Sequence, residues 1–161
     1  MTRTVQVREC ILIDRLESGV RPFQTGGDIE ALVREFEACT LPQAQWTHGA
    51  HLTVALWYLM NRSAQEATMS IRSGIRRYNE ANGVRMTATG GYHETMTLFW
   101  TCAVSFYLGQ AGEGRSILAL ANGMLSLFRN KHLPLAYYTR ERLMSWRART
   151  SWIEPDLKPL F

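Results

Sequence analysis

From residue 28 onward the apolar positions recur at helical spacing, and they sort into about six segments. The first runs from Asp28, a good N-cap, to Cys39, with Ile29, Leu32, Val33 and Phe36 on one face, and Pro42 stops it. The second opens after Thr47, another N-cap residue, and ends near Asn61. Its Leu52, Val54, Ala55, Leu56, Trp57, Leu59 and Met60 cover every side, the mark of a helix surrounded by others. Ser63-Ala64-Gln65-Glu66 is a capping box that opens the third. It predicts Ala67, Ile71, Ile75 and Tyr78 inward, Arg72, Arg76 and Arg77 outward, and a stop at Asn82-Gly83. A loop with Thr87, Thr89 and Gly90-Gly91 leads to a fourth segment, His93 to about Leu108, again apolar all round.

The fifth segment is Ser116 to Phe128, and Asn130 to Pro134 separates it from a sixth, about Tyr138 to Arg149. Beyond it, Trp152 to Phe161 reads as an extended tail, whose Trp152, Ile153, Leu157 and Phe161 predict packing along the body. Residues 1–27 predict an N-terminal arm: Val5, Val7 and Cys10 to Ile13 suit a short strand or an apolar strap, followed by loop. The expected fold is therefore all-α, a single-domain bundle of about six helices over residues 28–161, with the second and fourth helices at its centre.

Composition changes this picture little. With 46% hydrophobic and 20% charged residues, a chain of 161 residues suits one globular domain. The net charge of +4 raises the question of a nucleic-acid partner, but the arginines are scattered along the sequence, whereas a binding stripe would cluster them with aromatics. Cys10, Cys39 and Cys102 are odd in number and far apart, which argues against a disulfide framework. Cys39 and Cys102 read as small core hydrophobes. The N-terminus shows no signal-peptide pattern and no apolar run approaches a membrane span, so a cytoplasmic location is expected.

The candidate chemistry lies in the helix openings. Trp46-Thr47-His48-Gly49-Ala50-His51-Leu52 puts two histidines three residues apart at the start of the second helix, and Tyr92-His93-Glu94-Thr95 opens the fourth. If the helices alternate up and down, these two openings share one end of the bundle, with His132 in a loop nearby. First-turn histidines are disfavoured as cations by the helix dipole, and neutral imidazole is what a metal or a proton needs. His48, His51 and His93 are thus candidate ligands for a divalent metal, zinc first and iron or manganese second, in the pattern of three protein ligands plus water.

Glu94, about 100° round the helix from His93, suits a base or orienting role, with Tyr92 as proton donor. Tyr137, Tyr138 and Arg140 could bind an anionic substrate. The same residues also admit a metal-free acid–base or binding site, and a purely structural role in capping and stacking. For His132 alone the structural or surface role is the favoured one.

Four blocks, the histidine motif at 46–52, Tyr-His-Glu-Thr at 92–95, Tyr-Tyr-Thr-Arg-Glu-Arg-Leu-Met-Ser at 137–145 and Pro-Asp-Leu-Lys-Pro-Leu at 155–160, together resemble a family of small bacterial helical proteins without an assigned activity. The resemblance implies that these blocks form one design, and it implies no reaction. The sequence thus leads to a small cytoplasmic enzyme acting on a small molecule through a histidine-held metal (hydrolase, lyase or iron oxygenase). The alternative is a non-catalytic or metal-free protein that binds a small molecule in the same histidine and aromatic pocket. A membrane partner is not expected, a nucleic acid is disfavoured, and a homodimer is left open.

Overall fold

The computed structural model describes residues 23–161, so the expected arm at 1–27 falls almost wholly outside the described residues. Among those residues all regular structure is helical: α1 (Gly26–Glu37), α2 (His48–Asn61), α3 (Ala64–Ala81), α4 (Glu94–Ala111), α5 (Ile117–Leu127), α6 (Arg140–Leu143) and α7 (Trp146–Thr150). Short 3-10 turns at Gln43–Gln45 and Leu133–Ala136 link them. The described residues form an all-α bundle. None of the described helices is long and apolar enough to cross a membrane.

Side-chain caps set most of the boundaries. The hydroxyls of Thr47, Ser63 and Ser116 accept from the third N–H of α2, α3 and α5, and Glu66 completes the capping box at Ser63. Asp28 is not the N-cap expected for α1. It is the third residue of a helix that begins at Gly26, capped by Thr25, and its carboxylate accepts from the Thr25 N–H. A Thr–Asp pair satisfies two orphan donors where Asp28 alone would satisfy one.

The expected sixth helix is two. Ser145 interrupts it by accepting from Ala148 N–H and starting α7 afresh, while Tyr138 lies before α6 in a turn held by Pro134 O. A serine hydroxyl competes with the helical ladder, and here it wins.

The hydrophobic all-round pattern of α2 has its expected meaning, because α1, α3, α4 and α5 all pack on it and Leu52 through Leu56 are buried without a break. α4 is less enclosed than its pattern predicts. It buries Phe99, Ala103 and Val104, but Cys102 is exposed and not the core residue expected. Cys39 is half-buried, just past the end of α1, at a φ of 58°. The interior has two parts. The larger lies among α1 to α5, and a smaller one gathers Tyr137, Tyr138, Leu143, Ala148 and Ile153 about Phe99 of α4. The tail lies against this second part. The Asp156 carboxylate accepts from Thr139 N–H and Oγ1 at 2.8 and 2.6 Å, and the Phe161 ring stacks near Phe99, Phe106 and Tyr137.

Candidate functional site

The three histidines expected to share a metal do not come together. His48 Nε2 lies 2.8 Å from the Phe128 carbonyl at the end of α5, and its ring meets Trp100 edge-on. Trp100 is seven residues along the chain from His93, about 10 Å along the axis of α4. His93 caps α4, its Nδ1 accepting from Met96 N–H, while its Nε2 bonds the Leu143 carbonyl. His51 Nδ1 bonds the Thr47 carbonyl, with its ring against Trp46 at a centroid distance of 3.8 Å. Among the described residues no three His, Cys, Asp or Glu side chains are grouped to hold a metal ion. His48 faces Trp100, the seventh residue of α4 and not its opening turn, so the two helix openings do not share one mouth. His132 is exposed in the loop after α5.

These histidines are tuned in one direction. Desolvation lowers the pKa of His48 and His93 and takes His51 from 6.5 to about 4. A base whose pKa is lower folded than unfolded contributes stability that is full above the unfolded value and is lost as pH falls. The unfolding midpoint in denaturant is therefore expected to drop as pH goes from about 6.5 to 4. His51→Gln should flatten part of that slope, and a midpoint level across the window would refute the assignment.

The polar centre of the molecule lies elsewhere, where α3 passes the start of α4. Glu94 is 2% exposed and binds on both oxygens: Arg72 Nη2 donates to Oε1, Arg76 Nη2 to Oε2 at 3.4 Å, and Tyr92 Oη to Oε2 at 2.6 Å. Arg72, Arg76 and Glu80 recur every four residues and so share one face of α3. The Arg76 guanidinium also sits 4.5 Å from the centroid of the Tyr92 ring. Burial, aided by the bond to Glu94, pushes the Tyr92 phenol up to about 12 and keeps it a hydrogen-bond donor near neutrality. The expected pair of Tyr92 and Glu94 is thus real as a contact, although Glu94 is occupied by two arginines that the periodicity placed outward.

Beside this network opens a cleft of about 610 Å³ between the end of α3, the loop 83–92 and α7. Tyr92 and Asn79 form buried parts of its wall, and Arg149 of α7 closes it. Arg149 is 5% exposed, with Nη1 donating to the carbonyls of Gly90, Gly91 and Tyr92 at 3.0, 3.4 and 3.1 Å. Its Nε is buried without a hydrogen-bond partner among the described residues, and burial pushes its pKa down. The loop it grips is tight: Gly91 has a φ of 78°, and a Cβ there would lie 2.5 Å from the Arg85 carbonyl.

Comparison of the chain with protein-family models, curated proteins and solved structures gives no match. The site therefore rests on its own geometry. Tyr137, Tyr138 and Arg140, expected to bind substrate, do not line the cleft. Tyr138 is fully buried with its hydroxyl on the Ile153 carbonyl, Tyr137 packs on Phe99 and Phe161 under Lys158, and Arg140 is exposed on α6. Aromatic rings at that spacing fill the second core. Arg149 escaped the sequence reading because nothing distinguishes it there from the neighbouring Arg142 and Arg147.

Proposed function

We propose that the protein binds a small molecule without a metal, in the cleft walled by Tyr92, Asn79 and Arg149. This follows the alternative expected from the sequence, moved from the histidines to the arginine side of the bundle. The observation that carries it is the cleft itself: about 610 Å³, with the buried residues Tyr92, Asn79 and Arg149 in its lining. Ligand sites commonly enclose about 300–1,000 Å³ and place a few polar groups on a mostly apolar wall. The second cleft, about 300 Å³ near Thr47 and Phe128, lacks such a set of buried polar groups.

The reading is tested by thermal unfolding against a panel of small metabolites with a chelator present. At least one compound is expected to stabilise the chain, by about 2.7 kcal/mol at a hundredfold excess over Kd. Met86 is an exposed residue of the cleft wall, so Met86→Trp should block the site while leaving the fold intact. Stabilisation that requires a divalent metal and disappears in His48→Ala would overturn this reading in favour of the histidine site. A panel without any effect would also overturn it.

A further inference from the structure

We infer that the ligand of this cleft is a phosphomonoester, a small molecule that presents a phosphate dianion to the arginines and an organic group to Val84 and Met86. The inference rests on the binding function proposed above and names its ligand class. Three of the residues lining the cleft are arginines, Arg76, Arg85 and Arg149, and Glu80 is the one acidic residue among them.

Arg149 lacks an anion. Its Nη1 is held by three carbonyl oxygens, which orient the guanidinium but carry no charge to oppose it, and no carboxylate pairs with it among the described residues. Its Nε is buried and has no hydrogen-bond partner among the described residues. A buried cation without a counter-charge is costly, and an anion bound in the cleft would offset that cost. The side chain of Arg85 has no hydrogen-bond or ion-pair partner among the described residues either, and it stands exposed at the rim. Arg76 is only partly neutralised, because it shares Glu94 with Arg72.

The charge count separates phosphate from carboxylate. Arg72, Arg76, Arg85 and Arg149 face Glu80 and Glu94, which leaves two positive charges. A carboxylate would cancel one of them and a phosphate dianion both. Guanidinium forks match phosphate oxygens in geometry, and three of them line this cleft. Val84 and Met86 give the same cleft an apolar portion, so an organic phosphate fits it better than inorganic phosphate alone.

Isothermal titration in a phosphate-free buffer at pH 8 and low salt tests this with phenyl phosphate, orthophosphate, benzoate and the diester methyl phenyl phosphate. Phenyl phosphate is expected to bind about tenfold or more tightly than benzoate and than the monoanionic diester, and more tightly than orthophosphate. Arg85→Ala and Arg76→Gln should each weaken it by about fivefold or more. Arg149→Lys should abolish it, but because Arg149 holds the loop, the two other variants, confirmed folded by circular dichroism, decide the question. Equal or tighter binding of benzoate would overturn the phosphate assignment, and so would affinity unchanged in Arg85→Ala and Arg76→Gln. If a neutral compound bound in a manner blocked by Met86→Trp while phenyl phosphate did not bind, the ligand class would fall and the binding function would stand. If no compound of any class bound, both would fall.

Discussion

Glu94→Ala is expected to lower the stability of the protein by roughly 2–3 kcal/mol, seen as a fall in Tm of about 5–10 °C. The substitution removes one carboxylate and strands three donors: the guanidinium groups of Arg72 and Arg76 and the hydroxyl of Tyr92. Breaking a fully buried pair from one side costs about 3–5 kcal/mol. The arginine side chains here are 40% and 56% exposed, so water recovers part of that loss, and the lower figure follows. Glu94→Gln keeps the shape and one acceptor for Tyr92 but gives up the charge, and it should cost about half as much. A Tm within about 1 °C of the parent in Glu94→Ala would mean that the network contributes nothing to the fold.

Phe99→Ala should cost more, about 3–5 kcal/mol in denaturant unfolding. Phe99 is fully buried on α4, and its ring meets Trp100, Tyr137, Tyr138 and Phe161 at centroid distances of 5.2 to 6.4 Å. Removing it leaves a cavity at the join between the main core and the smaller cluster around α6 and α7. The damage should therefore be uneven. Hydrogen exchange should speed up at the amides of Leu143 and Arg149 before it does in α2, whose core is separate. A loss below about 1 kcal/mol, or an even rise in exchange along the chain, would show that the two cores are not distinct.

The helices were legible in the sequence because their signals are local. Thr47 and Ser63 announce α2 and α3 by short-range capping, and the apolar run of α2 announces its central place. The site was legible only in part. Tyr92 and Glu94 could be singled out from their helix opening, yet their arginine partners could not, since Arg72 and Arg76 sit on what the periodicity marks as an outer face. Whether such a face meets solvent or the start of another helix depends on where the chain crosses itself, and spacing along one helix does not carry that information. The histidines misled for the same reason. Their spacing suits a shared ion, but each ring found a carbonyl or an aromatic neighbour within reach: Phe128 for His48, Trp46 for His51, Leu143 for His93.

The grip of Arg149 on the loop has one more consequence. What it holds are carbonyl oxygens, so the tie itself does not read side chains, although the φ of Gly91 keeps that position for glycine. The side chains of Arg85 and Met86 at the rim of the cleft take no part in this tie. On the proposed binding function, a change at Arg85 or Met86 alters what the wall would recognise and leaves the tie in place. Substitutions at these two rim positions should therefore be tolerated by the bundle behind them.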